Sequence, residues 1–262
     1  MHQRLAAISS VYVRNRHVDL WLPPGYDPGG SHRYPVLYCQ DGQYNCLPMK
    51  SLLGWGLCET AGALMEEGSI SPFIVANIWN TPDRWREYVP QKPVERFVTP
   101  KEQAELRGKG KFPTSDLYLA YLLEELIPAV EASCNAKPSG DARFLMGSSL
   151  GAAVSLYALC EYPNHFKGAA CLSTHWPLNG GALLPYLDAS LPDPTSHRLY
   201  FDISTESLDT QYVAYHPRVC EILYSHGFLE GISCMNRVWR GHDHSAASWG
   251  RRVHVPLSYL FS

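Results

Sequence analysis

The sequence predicts an α/β fold, a mostly parallel central sheet with helices on both faces and an antiparallel hairpin at the N-terminus. Three observations predict it. Short apolar runs recur along the chain, helical patterns separate them, and "VYVRNRHVDLWL" alternates apolar and polar residues on both sides of Asn15 and Arg16, the pattern of a half-buried hairpin. The apolar runs are "PVLYCQ" at 35–40, "FIVANIW" at 73–79, "ARFLMGS" at 142–148, "KGAACLS" at 167–173, "RLYFDIS" at 198–204 and "SCMNRVW" at 233–239. Runs that are apolar throughout fit strands buried on both faces, as crossover helices demand.

Between them, "SDLYLAYLLEELIPAVEA" opens with Ser115 and Asp116 as capping residues. It carries Leu119, Leu122, Leu123, Leu126 and Ile127 at helical spacing, with Pro128 expected to bend or restart the helix. "DTQYVAYHPRVCEILYSHG" contains Pro217 and is expected to finish at Gly227. Residues 80–114 break the alternation. They are rich in Pro, Lys and Arg and too long for an idle connection, which predicts a lid-like or substrate-wall excursion. A length of 262 residues fits a single domain spanning 1–262.

Composition narrows the partners. Lys and Arg number 22 against 25 Asp and Glu, with no run of like charge, so nothing attracts a phosphate backbone and nucleic acid is not expected. The 16 tyrosines and 7 tryptophans suggest ring-lined surfaces for a sugar or aryl group, or packing alone. Eight cysteines form no CxxC pair and several sit in apolar runs, which favours free thiols and a reducing compartment. The first residues lack the apolar stretch of a secretory signal, and no segment approaches the ~18 apolar residues that span a bilayer. A cytoplasmic protein without membrane association is expected, although removal of a signal peptide would leave the same sequence.

"FLMGSSLGAAVSLYALC", residues 144–160, contains GxSxG as Gly147-Ser148-Ser149-Leu150-Gly151. The match alone is weak, but it falls where a predicted strand ends and a helix begins, the junction a nucleophile elbow needs. Glycines at both ends let strand and helix approach closely around a strained serine. Ser149 has that central placement and Ser148 lacks it. The Leu150 amide then lies at a helix N-terminus, where an unpaired donor and the dipole favour a developing oxyanion. Serines that merely cap the helix are the competing reading.

A serine hydroxyl needs a base and an orienting carboxylate, and in α/β-hydrolases these follow in the order Ser, Asp or Glu, His. "TESLDTQY" supplies Glu206 and Asp209 just beyond a strand end, whereas Asp202 lies inside the strand. "WRGHDHSAASWGRR" supplies His242 and His244 in the third place. His-x-His with Asp243 is also a partial zinc pattern, but no third ligand stands at a convincing spacing.

These residues resemble the esterase D-like "Putative esterase" family of α/β-hydrolases, which takes in feruloyl and acetyl-xylan esterases, S-formylglutathione hydrolase, enterochelin esterases and mycolyltransferases. The resemblance runs along nearly the whole chain. "RYPVLYCQDGQYN" is similar to the family's first core strand and DGQN turn, with Tyr44 before Asn45. "IWNTPDRWREYVP" is similar to its Asn-Arg-Glu-Tyr-x-Pro stretch and "MGSSLGA" to its elbow. "DISTESLDTQY" is similar to its acid segment, with Ser204 where glycine is usual, and "GHDHSAASWGRR" to its His and Trp ending. The resemblance implies the α/β-hydrolase fold, Ser149 as nucleophile, Asp209 as acid with Glu206 as substitute, and His244 as base, since Trp249 follows it at the family's spacing. It also implies the Gln43 and Leu150 amides as oxyanion donors. Side chains of Asp41 and Gln43 could equally bond within their own turn. Trp79, Trp85, Tyr88, His175 and Trp176 are candidates to shape an acyl or alcohol pocket.

The expected function is a serine carboxylic ester hydrolase acting on a small-molecule ester through an acyl-enzyme, with no cofactor. A thioesterase or acyltransferase on the same triad, and a catalytically silent ligand-binding relative, are the alternatives.

Overall fold

The computed structural model describes residues 1–262 apart from the side chains of Ala6 and Ala7. Eight strands form one sheet: β1 (His2–Ile8), β2 (Arg16–Trp21), β3 (Val36–Cys39), β4 (Ile74–Ile78), β5 (Arg143–Ser148), β6 (Gly168–Leu172), β7 (Arg198–Ser204) and β8 (Cys234–Trp239). Their spatial order is β1-β2-β4-β3-β5-β6-β7-β8. β2 runs antiparallel to both β1 and β4, and every pair from β4 to β8 is parallel. This is the α/β-hydrolase fold with its N-terminal hairpin. All six expected apolar runs are strands.

Period-two alternation assigns each strand's side chains to one of two cores. Val36, Tyr38, Leu145, Ala169, Cys171, Leu199 and Phe201 face the helices Leu150–Glu161 and Leu183–Ser190. Leu37, Cys39, Phe144, Met146, Ala170, Leu172 and Tyr200 face the helices Leu57–Glu66 and His254–Phe261. The helix Leu150–Glu161 is buried at every position except Glu161, as its apolar sequence on all sides requires. Each fully buried Leu or Val contributes about 1.5–3 kcal/mol, so the two cores dominate the stability.

The hairpin begins earlier than its sequence pattern predicts. β1 is His2–Ile8, and residues 9–15 form the connecting loop, where the Ser10 hydroxyl accepts from the Tyr12 and Val13 amides and Asn15 Oδ1 accepts from the Ser10 amide. Ser115 is the first helical residue rather than the cap, and its hydroxyl accepts from the Gln91 amide at 2.8 Å. The helix it opens passes through a π-turn at Leu122–Leu126 and resumes as Ile127–Ser133. Pro128 lacks the N–H that a regular turn would use and crowds the carbonyl of Glu124, which accounts for the widened turn. The helix His216–Ser225 ends at Gly227, whose φ is 85°.

Residues 80–114 contain three short helices, Arg84–Tyr88, Gln91–Phe97 and Pro100–Gly108, the last opened by a capping box between Thr99 and Glu102. The cysteines differ from expectation in one respect. Cys46 and Cys58 form a disulfide with Cα atoms 4.9 Å apart, while the other six are free. No helix is long and apolar enough to cross a membrane.

Candidate active site

The site lies at the carboxyl ends of the central strands, where open α/β sheets collect functional groups. Four adjacent strands there are each followed by a non-glycine residue with left-handed φ: Asp41 (55°) after β3, Ser149 (56°) after β5, Ser173 (44°) after β6 and Ser207 (59°) beyond β7. Such backbone costs about 1–2 kcal/mol per L-residue and persists only where surrounding bonds over-determine it.

At Ser149 those bonds are visible. Its amide donates to Leu172 O at 2.9 Å and its carbonyl accepts from the Ala153 amide at 3.1 Å, pinning φ 56° and ψ −119° between strand and helix. A Cβ on Gly147 would stand 2.4 Å from the Gly151 carbonyl, and one on Gly151 would stand 3.0 Å from Gln40 Cβ and 3.2 Å from Asp41 Oδ2. The two glycines therefore let β5, its helix and the turn after β3 meet. The Leu150 N–H lies in the first turn of that helix and has no intrahelical partner.

Asp209 is fully buried and its Oδ1 lies 2.5 Å from His244 Nδ1. Its Oδ2 accepts from the Ser173 hydroxyl at 2.6 Å and the Ser204 amide at 2.9 Å. Burial pushes this carboxyl up, but the bonds from His244, Ser173 and Ser204 together hold it below its ordinary value. Glu206 is exposed, and its amide donates to the His242 carbonyl, so the acid that meets the imidazole is Asp209. His242 contributes that carbonyl, which also accepts from Thr205, and thereby joins the two loops. Asp243 accepts from the Ser245 and Ser248 hydroxyls of its own turn. Among the described residues no group of three or more His, Cys, Asp or Glu is arranged to hold a metal ion.

Ser149 and His244 border one cleft of about 430 Å³. In this structure the Ser149 side chain adjoins the Tyr212 hydroxyl, and no hydrogen bond joins it to the imidazole among the described residues. A serine side chain has three staggered χ1 wells, and catalytic hydrogen bonds commonly tighten only with substrate bound.

The turn after β3 is clamped from the 80–88 segment. Asn80 Nδ2 donates to Asp41 Oδ1 at 2.5 Å, Arg84 donates to both Asp41 oxygens at 2.6 and 2.7 Å, and Tyr88 Oη accepts from the Asp41 amide at 3.4 Å. Gln43 Oε1 accepts from the Asn80 amide at 3.1 Å. Neither Asp41 nor Gln43 closes its own turn through its side chain; both reach across to the 80–84 segment. Glu87 forms a buried bidentate pair with Arg16. The Asn, Arg and Tyr of "NTPDRWREY" thus converge on Asp41, while the Glu is held by Arg16.

The candidate pocket residues separate. Tyr88 lies beneath the Asp41 turn, and His175 borders Ser149: its amide donates to the Ser149 carbonyl at 3.4 Å, and its Nδ1 lies 2.7 Å from the Tyr212 hydroxyl. Burial, and then the neighbouring His244 and Arg84, hold the His175 imidazole below its ordinary value. Trp79 is tied to Asp19 at 2.8 Å and flanked by Arg4 and His17, over the hairpin. Trp176 packs on Phe201 in the core. Trp85 is 39% exposed, and none of the five candidates is among the residues that line the cleft. From residues 80–114 only Asn80 and Arg84, the first residue of the helix Arg84–Tyr88, line it. The opposite wall is Tyr44, Leu52, Leu53 and Trp55, with Trp249 beside them. This wall had no periodic signal in the sequence. Its one trace is the run of apolar residues in "LPMKSLLGW", of which Leu52 is 97% exposed. Tyr212, Ser173 and Arg252 were likewise outside the sequence-based set.

The sequence matches the family described as "Putative esterase" over residues 9–255. The uncharacterized protein YbbA of Bacillus subtilis (strain 168) is 26% identical over 267 residues, spanning 97% of this chain and 96% of that one. An endo-1,4-beta-xylanase/feruloyl esterase of Xylanibacter ruminicola is 24% identical over 251 residues, spanning 93% of this chain and 29% of that one. A ferulic acid esterase shares the fold with a TM-score of 0.73 over 100% of this chain and 98% of that one at 14% identity. The enterobactin esterase FES from Shigella flexneri does so with a TM-score of 0.71 at 18% identity, over 99% of this chain and 58% of that one.

Proposed function

Because the chain belongs to the "Putative esterase" family, we propose that it is a serine carboxylic ester hydrolase working through Ser149, His244 and Asp209. The family and the esterases among its relatives support hydrolysis of esters. The observation that carries the triad is the buried Asp209 bonded to His244 Nδ1 in the same cleft as a serine held at an elbow backbone.

In the proposed reaction His244 Nε2 takes the Ser149 proton as Oγ attacks the ester carbonyl. The carbonyl π pair moves onto oxygen, where the Gln43 and Leu150 amides stabilise it. These amides follow the adjacent parallel strands β3 and β5, whose Cys39 and Met146 stand opposite. Collapse expels the alcohol, which takes the proton from His244. Water then repeats the sequence on the acyl-enzyme, freeing acid and serine. Asp209 holds the Nδ1–H tautomer and offsets the imidazolium charge. Each oxyanion donor contributes on the order of 3 kcal/mol to the barrier reduction.

The test is a panel of p-nitrophenyl acetate, methyl ferulate, S-formylglutathione and a siderophore trilactone, with wild type and Ser149→Ala. Turnover and fluorophosphonate labelling are expected to vanish in the variant; unchanged turnover overturns the assignment. Preference for the thioester would move the protein to the thioesterase reading.

A further inference from the structure

Ser173 has no exposed surface and stands directly after β6. Its hydroxyl meets three groups. Arg252 Nη2 donates to it at 2.9 Å, Trp249 Nε1 donates to it at 3.2 Å, and it lies 2.6 Å from Asp209 Oδ2. Guanidinium and indole N–H groups can only donate, and a hydroxyl has two acceptor positions and one proton. Both acceptor positions are therefore filled, and the proton has one direction left, toward Asp209.

Arg252 cannot turn away. Its Nε and Nη2 donate to the two oxygens of Asp202 at 2.9 Å each, and its Nη1 donates to Ser204 Oγ at 2.7 Å. Asp202 in turn accepts from Tyr200 Oη at 2.9 Å and from the Ser173 amide at 3.0 Å. The left-handed φ of Ser173 lets its amide face Asp202 while its side chain faces Asp209.

We propose that Ser173 is a positioning residue, locked as an obligate donor by Arg252 and Trp249, that fixes the Asp209 carboxylate so that Oδ1 remains aimed at His244. This inference rests on the Ser149, His244 and Asp209 assignment above. Besides His244 itself, the charged and titratable groups around Asp209 are Asp202 from β7, Arg252 from the helix Ala246–Arg252, and Tyr212 from its own segment. His175 stands behind Tyr212, and Arg84 lies across the cleft. Of these, only Arg252 reaches Asp209 through a single intervening hydroxyl.

The test uses Ser173→Gly, which suits the left-handed backbone, and Ser173→Ala, with folding read by thermal melting and p-nitrophenyl acetate as substrate. The expected result is a kcat lower by roughly tenfold or more with KM within about twofold, because the hydroxyl acts on the triad and not on substrate. The acid limb of the kcat/KM profile is expected to move to higher pH, since a carboxylate short of one donor holds the imidazolium proton more firmly. If neither variant folds, Trp249→Phe removes one of the two locking donors and should move the same limb in the same direction. A folded Ser173→Gly with kcat within about twofold of wild type and an unmoved acid limb overturns the inference, as does an unmoved limb in Trp249→Phe. Ser149→Ala run alongside separates the two readings. If it retains activity, the triad assignment fails; if it is dead while the Ser173 variants keep wild-type kinetics, only the role of Ser173 fails.

Discussion

Arg252→Met leaves the Asp202 carboxylate buried without its counter-ion. Both groups of this pair are completely excluded from solvent, and the guanidinium makes four hydrogen bonds, two to Asp202 and one each to Ser204 and Ser173. Removing one partner of such a pair costs about 3–5 kcal/mol, against a total stability of roughly 5–15 kcal/mol. At about 2 °C per kcal/mol for a chain of this size, the melting temperature should fall by roughly 6–10 °C. Adding Asp202→Asn should recover more than half of the loss, since the amide removes the charge and keeps an acceptor for the Ser173 N–H. Burial raises the Asp202 carboxyl above its ordinary value and Arg252 pulls it back, so deleting Arg252 lifts it further. A carboxyl with a raised folded value favours the folded state below its unfolded value of about 4 and loses that advantage as pH rises through the folded one. The deficit of Arg252→Met should therefore be smaller at about pH 5 than at about pH 8. Urea melts of wild type, the single and the double variant at both values measure this. A loss below about 1 kcal/mol at neutral pH, or a deficit independent of pH, refutes the reasoning.

Asp209→Asn should lower kcat by on the order of 10⁴ with little change in KM, because the amide no longer selects the Nδ1–H tautomer; steady-state kinetics check it. Gly147→Ala should destabilise by several kcal/mol, since its Cβ would meet immobile backbone at 2.4 Å. Gly151→Ala, meeting Gln40 and Asp41 at 3.0–3.2 Å, should fold more readily yet lose activity through displacement of the turn after β3, as melting and kinetics together show. Replacing Leu52 and Leu53 with serine should leave the melting temperature nearly unchanged, because both are exposed, and should raise KM for apolar esters. Cys46→Ser should likewise raise KM more than it lowers kcat, because the disulfide closes the loop that carries Leu52, Leu53 and Trp55.

The strands β3 and β6 were legible because burial on both faces leaves runs such as "PVLYC" and "GAACL" with no polar interruption, whereas β7 and the partly exposed edge strand β8 were found from apolar runs that carry Asp202, Asn236 and Arg237. β1 was misplaced because it is an edge strand whose first residues are exposed, so its pattern is weaker than the chance alternation of the loop after it. Ser149 could be singled out by its strand-to-helix turn, and strand-end order narrowed its partners to Glu206 or Asp209 and His242 or His244; the family resemblance then chose Asp209 and His244. The network behind them could not. Arg252 lies 79 residues from Ser173, and a cation in the last turn of a helix reads as a solvated partner of the helix dipole. The cleft wall at 44–55 escaped because it has no periodicity, and the Cys46 to Cys58 spacing matches no recognised pattern. Trp79 and Trp176 were chosen for their rings and proximity to strand ends, and neither property tells which way an indole points.

Asp41, Ser149, Ser173 and Ser207 also set a limit on how far this protein can be hardened. Each is a position where glycine would relax the chain, so a library screened only for heat tolerance will be drawn to all four. At residues 41, 149 and 173 the winners of such a screen would discard side chains on which the proposed reaction depends. Robustness has to be sought elsewhere, in the two cores or along the sheet edges.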